Sequence, residues 1–517
     1  MSAIVAPSPD EITPGQRAAI TACVMIATLM QALDSTIANV ALPYMQGSLA
    51  ATSDQINWVL TSYIVSAAIM TPTTGWLERR FGRRRVFVIC IVGFVAASML
   101  CGTATSLTEM VLFRVVQGIF GAPLVPIAQS TLLDTYSVSA RGQAMAVFGL
   151  GVMLGPIIGP TLGGWLTQYY DWRWVFYVNV PIGIGALVLA LGFLPRRGTD
   201  PAARIDMFGF ATLGLAIASL QLFLDRGEQL DWFASLEIQV ELALFLLGLY
   251  LFVVHTLTSR GPTFLDRRLF LDRTFVVSQV LIFIVGAVLL ATLALLSPYL
   301  EDLLNYPVLT AGLLLAPRGV GTMIAMVFVG RLVGRVDARF LLAFGFGLTA
   351  LALYDMSRFT QDVSEATIIR TGIIQGFGIG FVFVPMSTVA FATLPPELRT
   401  QGTGFYSLMR NIGSSVGISL MSFLLTRNAQ ILHASLGEHI SPYARGVQWL
   451  GDTLDLTTEQ GRAVANAMVA QQAEVIAYAD CFLLMMVASL FALPLLLLLK
   501  APDAETAREA AAGAAMD

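Results

Sequence analysis

Charge is scarce in this chain. Asp, Glu, Lys and Arg make up 12% of its 517 residues, against roughly 25% in a soluble globular protein. So little charge cannot cover a water-facing exterior. Hydrophobic residues at 56% and a mean hydropathy of +0.74 leave far more apolar surface than a soluble core needs. The formal net charge of -4 argues against nucleic acid as a partner. The four cysteines, Cys23, Cys90, Cys101 and Cys481, show neither disulfide nor metal-ligand spacing and lie in or beside apolar runs, where a thiol packs as a small hydrophobe. There is no Walker pattern and no soluble domain long enough to hydrolyse ATP, so active transport would need an ion gradient and no cofactor. Selectivity-filter and haem-pair patterns are absent too. The first apolar run contains Asp34 and lacks a small-residue cleavage pattern, so it reads as a retained helix rather than a leader.

What the chain has is long, continuous apolar runs, unlike the short alternating segments of a β-barrel. Fourteen candidate spans fall at 18–42, 56–76, 86–104, 109–131, 143–167, 174–194, 207–224, 237–257, 275–298, 308–330, 340–356, 366–391, 402–426 and 474–499. The reading is an all-α polytopic membrane protein embedded in a lipid bilayer. A faint internal repeat organises the spans. Arg114-Val115-Val116-Gln117-Gly118 runs on to Val125-Pro126, and Ile373-Ile374-Gln375-Gly376 runs on to Val384-Pro385. Gly75-Trp76-Leu77…Arg80 has a weaker partner in Gly330-Arg331…Gly334-Arg335. Two six-helix bundles, 18–194 and 275–499, are therefore expected, with two extra helices in 207–257 between them. Segment 1–17 precedes the first bundle and tail 500–517 follows the second.

An even number of spans puts both termini on one side, and basic residues say which. With the N-terminus inside, twenty of the thirty basic residues fall on cytoplasmic segments, among them Arg197, Arg260, Lys500 and Arg508, and six fall outside. The expected topology has both termini cytoplasmic. It places the polar segment 427–473 outside. Its Ala-rich stretches around Ala463 and Ala470 suit helix, and it is either a docking surface for another protein or a plain loop. Its His433 and His439, six apart, do not share a helix face, so no metal site is expected.

The fifth span carries an unusual stretch, Gln143 to Trp165. Glycines fall at Gly149, Gly151, Gly155, Gly159, Gly163 and Gly164, with Pro156 and Pro160 between them. Gly151, Gly155, Gly159 and Gly163 recur every four residues and form one bare helix face that admits a second helix closely. The prolines tend to bend or locally break the helix. This face is expected at the seam between the two bundles.

Several polar residues sit where lipid makes them costly. Asp34 lies mid-span in Gln31-Ala32-Leu33-Asp34-Ser35-Thr36-Ile37-Ala38-Asn39. A carboxylate there is expensive to bury ionised, which suits a group that alternates between holding a proton and attracting a cation. The competing reading is a structural partner of an arginine or hydroxyl cluster. Arg114 in span four keeps its charge and shares a face with Gln117, three residues on; it serves either proton coupling or as an internal anchor. Whether it meets Asp34 is open at this stage. Gln31, Asn39, Tyr63, Gln117, Gln129 and Asn411 are candidate cavity or substrate groups; Asn179, Gln221 and Tyr299 are further polar groups beside spans. Between spans two and three, Gly75, Glu78, Arg79, Arg80, Gly82 and Arg83 form a glycine- and arginine-rich turn. It either fixes topology or latches neighbouring helices on the inner face.

These motifs resemble the fourteen-helix drug:proton antiporters of the major facilitator superfamily, over roughly residues 15–500. Leu33-Asp34-Ser35-Thr36-Ile37-Ala38-Asn39-Val40-Ala41-Leu42-Pro43 matches the family's span-one signature. Gly75 to Arg85 matches its loop between helices two and three, departing at Arg79 where aspartate is usual, with Glu78 one position earlier. Arg114 to Gly118 matches the span-four motif. Gly155-Pro156-Ile157-Ile158-Gly159-Pro160-Thr161-Leu162-Gly163-Gly164 matches the antiporter motif of helix five. The resemblance implies a proton-driven exporter of amphipathic small molecules in the cell inner membrane, with Asp34 as the proton-linked carboxylate. It also implies a periplasmic membrane-fusion adaptor and an outer-membrane channel as partners. Export of one specific metabolite or siderophore, or proton-symport import, are the alternative readings.

Overall fold

The computed structural model describes residues 12–499 except 138–139, 197, 260, 262 and 441–455. Arg197, Arg260, Arg445, Lys500 and Arg508, and the tail 500–517, lie outside the described residues. The chain is built from helices: α1 Pro14–Ser48, α2 Trp58–Met70, α3 Thr74–Phe81, α4 Arg83–Thr103, α5 Leu107–Gly121, α6 Leu124–Thr135, α7 Arg141–Tyr169, α8 Asn179–Phe193, α9 Met207–Arg226, α10 Leu236–Thr258, α11 Arg273–Pro298, α12 Val308–Leu332, α13 Ala338–Met356, α14 Glu365–Ala390, α15 Pro396–Glu438 and α16 Glu459–Leu495. Thirteen helical segments among the described residues are long and apolar enough to cross a membrane. This is a multi-pass, all-helical membrane protein. Helices are what a bilayer permits, because each satisfies its own backbone polar groups where no water can.

The second expected span is built in pieces. A 3₁₀ turn at Thr71–Thr73 separates α2 from α3. Pro72 supplies no amide donor, and the hydroxyls of Thr71, Thr73 and Thr74 donate to the carbonyls of Ala67, Met70 and Thr71. Such back-bonding competes with the α-helical ladder. By contrast α7 runs unbroken from Arg141 to Tyr169 through Pro156 and Pro160.

Packing repeats along the chain. In the first half α1 lies along α7, α2 and α4 along α5, and α4 against α8. In the second, α11 lies along α15, α12 and α13 along α14, and α13 against α16. Helices α9 and α10 pair with each other between these groups. Much of α10 faces outward, with Leu246, Leu247, Tyr250 and Leu257 exposed, a surface suited only to lipid.

The glycine face of α7 corrects an expectation. It does not lie on the second half of the molecule; it packs on α1, in its own half. A Cβ on Gly155 would come within 2.5 Å of the Ala32 carbonyl carbon, and one on Gly159 within 2.2 Å of Thr36 Oγ1. Gly151 abuts Met25 and Gly163 abuts Ile37 in the same way. Both helices carry small residues at the crossing, so their backbones nearly touch. Gly164, outside the four-residue series, has only Val40 Cγ1 at 3.8 Å. A different face of α7 meets the second half. There Gly142 abuts Val333, Gly149 abuts Met326, and the ring of Phe148 stacks on Phe383 at 6.4 Å.

The described ends of the segment 427–473 are helical. α15 has 43 residues, about 65 Å at 1.5 Å per residue, roughly twice the hydrocarbon thickness of a bilayer. The stretch Arg427–Glu438 therefore continues a membrane helix beyond the lipid, and Glu459–Ala473 begins the return in α16. His433 Nε2 and Asn466 Oδ1, 3.0 Å apart, tie the two together.

The glycine contacts set a test. Gly155→Ala is expected to destabilise the purified protein by about 1–3 kcal/mol, the usual cost of overpacking. Gly164→Ala should be neutral. Thermal unfolding in nanodiscs reads both, and equal midpoints for the two variants would sink the α1–α7 contact as the reason for the glycines.

Candidate functional site

Helix geometry brings Asp34, Arg114 and Gln117 into one buried cluster. Asp34 on α1 and Arg114 on α5 are both fully buried. Arg114 Nη1 donates to Asp34 Oδ2 at 2.7 Å and to Gln117 Oε1 at 2.8 Å. Gln117 Nε2 and Asn179 Nδ2 each donate to Asp34 Oδ1 at 2.8 Å. The question left open by the sequence is answered: the carboxylate pairs with Arg114.

The surroundings complete the pair. Arg114 Nε donates to the Val59 carbonyl at 3.0 Å. Its guanidinium carbon lies 4.3 Å from the Tyr63 ring centroid, within cation–π range. Asn179 also donates to Ser98 Oγ at 3.0 Å, and Ser98 donates to the Phe176 carbonyl at 2.8 Å. Residues from α1, α2, α4, α5 and α8 thus join one network, in which α5 and α8 bond the carboxylate directly. Charge-assisted bonds of this kind are strong, and leaving either partner alone is correspondingly costly. Gln31 joins at the edge, donating to Tyr63 Oη at 3.2 Å.

The other cavity candidates lie apart. Asn39 and Asn411 are exposed, and Gln129 is buried with no partner for its Nε2. A cavity of about 220 Å³ opens elsewhere, between the start of α2 and the end of α9. Trp58, Thr61, Asp225 and Arg226 line it.

The arginine-rich turn forms a second buried charge cluster. Gly82 has φ +87°, a left-handed conformation that glycine adopts without strain, and this turns α3 into α4. Arg83 is then directed inward. Its Nε donates to Glu78 Oε1 at 2.6 Å and its Nη2 lies 3.0 Å from Asp134 Oδ2 at the end of α6. Arg399 on α15 donates to the other oxygen of Asp134 at 2.8 Å, and Arg83 Nη2 also donates to Thr400 Oγ1 at 3.4 Å. Two arginines from opposite halves therefore share one carboxylate. Gly75 makes room alongside, since a Cβ there would lie 2.9 Å from Gln401 Cβ. Glu78 supplies the acid for Arg83, one position before the site where Arg79 stands. Arg79 is exposed and Arg80 half-buried. Asp134, Arg399, Ser98 and Thr400 escaped the sequence reading. An acid at the end of an apolar run was the available signal for Asp134.

The family model described as Major Facilitator Superfamily matches residues 24–418. The chain is 35% identical over 458 residues to the multidrug export protein EmrB of Escherichia coli (strain K12), covering 88% of each chain. It is 33% identical over 487 residues to the fatty acid resistance protein FarB of Neisseria gonorrhoeae, covering 93% of this chain and 96% of that one. Among solved structures, the human organic anion transporter MFSD10 (TETRAN) aligns with a TM-score of 0.62 at 16% identity, over 94% of this chain and 100% of that one. That last likeness concerns the fold.

The buried pair sets the second test. Asp34→Asn leaves Arg114 uncompensated and is expected to cost about 3–5 kcal/mol. Asp34→Asn with Arg114→Gln removes both charges and should recover part of that loss. A double-mutant cycle on thermal stability in nanodiscs checks it, and strictly additive losses would mean the two side chains are not coupled.

Proposed function

Because the chain belongs to the Major Facilitator Superfamily, and is a secondary transporter rather than an enzyme, we propose that it is a proton-driven multidrug exporter of the inner membrane. The observation that carries this reading is the Asp34 carboxylate, sealed from water and held by Arg114, Gln117 and Asn179. Protonation would remove an acceptor from Arg114 and leave a buried cation unpaired. Proton uptake therefore favours a rearrangement of α1 against α5, and release restores the ion pair. Drug:proton antiport uses this exchange, with the cargo moving against the proton.

The proposed architecture counts α2, the 3₁₀ turn and α3 as one span, which gives fourteen. The repeated packing order supports two six-helix bundles, with α9 and α10 added between them. The excess of arginine on one side supports cytoplasmic termini. On that orientation the Arg83–Asp134–Arg399 cluster is a cytoplasmic latch. It closes the inner end while the bundles rock about a central site, and opening inward would require its charges to part. Relatives include a multidrug export protein and a fatty acid resistance protein, in line with amphipathic substrates. The helical hairpin of Arg427–Glu438 and Glu459–Ala473 projects outward as the natural dock for a periplasmic adaptor of a tripartite pump ending in an outer-membrane channel.

Proteoliposomes with an imposed proton gradient test the mechanism. Wild-type protein should exchange protons for an amphipathic drug, and Asp34→Asn should abolish gradient-driven transport at equal amounts of folded protein. Full antiport by the variant would overturn the role of Asp34. For the partner, removing 427–473 and joining the helices by a short linker should abolish co-purification of an adaptor without loss of folded transporter. Undiminished capture would take the hairpin out of the interface.

A further inference from the structure

The second half repeats the geometry around Asp34 with the acid left out. Gln117 Nε2 donates to Asp34, and Gln375 Nε2 donates to Thr292 Oγ1 at 3.1 Å. A Cβ on Gly118 would lie 2.6 Å from the Tyr63 carbonyl oxygen, and one on Gly376 would lie 1.9 Å from that of Arg318. These paired contacts match α5 to α14, α1 to α11 and α2 to α12. Thr292 then stands where Asp34 stands, and Arg318 where Tyr63 stands. Gly372, three residues before Gln375, replaces Arg114. The cation has moved from one helix to its neighbour, and the carboxylate is missing.

Arg318 is 5% exposed. Its Nη2 donates to the Leu289 carbonyl at 3.1 Å, while its buried Nη1 has no partner. Gln375 is fully buried, and its Oε1 also lacks a partner. Thr292 already donates to the Val288 carbonyl at 2.6 Å, so it can only accept from Gln375. Among the described residues, what remains at this point of the fold is an unpartnered guanidinium donor with no acid beside it. Arg410 on α15 adds to the imbalance. It makes no ion pair or side-chain hydrogen bond among the described residues, and its backbone packs on Gly286, one turn along α11 from Leu289. A cation held in a membrane interior without a counter-ion is costly. In the first half the counter-charge is built in.

We infer that in the second half the counter-charge arrives with the cargo. Arg318, beside Gln375, is the recognition point for the acidic group of the exported compound. The site takes amphipathic acids, a carboxylate or similar oxyanion on an apolar body, in preference to amphipathic cations. This inference rests on the transport reading above and narrows its substrate class.

The test uses the full chain in nanodiscs with radiolabelled decanoate, binding to empty nanodiscs subtracted, and decyltrimethylammonium as a competitor of equal chain length and opposite charge. Wild-type protein should bind decanoate, and the cation should not displace it. Arg318→Gln should weaken binding at least about tenfold, the loss of one charge-assisted hydrogen bond. Arg318→Lys should keep part of it, because the charge survives without the fork geometry. Unchanged decanoate binding in Arg318→Gln would make Arg318 a structural anchor for α11 and overturn the inference. So would displacement by the cation at comparable concentration, or absence of decanoate binding. Binding needs no gradient, so Arg318-dependent binding without any Asp34-dependent antiport supports this inference while overturning the transport reading; Asp34-dependent antiport without Arg318-dependent binding does the reverse.

Discussion

A charge inside a bilayer has no water to turn to, and the first half of this protein is arranged around that constraint. Asp34 is tolerable only because five helices converge to surround it. Arg114 neutralises it, two side-chain amides fill its second oxygen, and Ser98 fixes the orientation of one of those amides. Each donor is itself engaged elsewhere, so the cluster behaves as a unit. Removing the Asp34 carboxylate from such a network would leave donors on two helices, Arg114 and Gln117 on α5 and Asn179 on α8, without their acceptor at once.

The contacts between helices fall into two physical kinds. Along α1 and α7 the backbones approach so closely that Gly155 and Gly159 have no room for a methyl group. Such contact is short-ranged and depends on shape. It suits a pair of helices that move together. Between the halves, at the arginine-rich end, the joint is made of charges: Arg83 and Arg399 share Asp134. These charges are buried, so each holds the other's counter-charge and neither can part without an uncompensated partner. Close packing within a half and ion pairing between the halves at this end thus have separate chemical bases.

Much of the fold was legible in the sequence because hydrophobicity along a chain is a local property. Apolar runs near the length of a membrane crossing identified the helices, and the scarcity of charge excluded a soluble protein. Span two is the exception in form. Its Thr-Pro-Thr break at Thr71–Thr73 left no single piece long enough on its own. Asp34, Arg114 and Gln117 stood out because polar groups are rare in such runs. Ser98 did not, since serine is tolerated in membrane helices and gives no local sign of its partner. Asp134 was passed over because an acid near a helix end looks like a simple boundary marker.

What the sequence determined by itself was which segments are helical and which buried side chains are chemically expensive. Pairing was decided only in three dimensions. Residues 80 apart, Asp34 and Arg114, meet because the long side chain of Arg114 reaches from α5 across the interior of the first half to α1. The glycine series predicted a close helix neighbour but not its identity, since a bare face accepts any helix that fits. The tertiary structure chose α1, whose small residues complement it, and gave the opposite half to another face of α7. That Thr292 stands in the second half where Asp34 stands in the first was also invisible in the chain. It follows only from their matching contacts, Asp34 with Gln117 and Thr292 with Gln375.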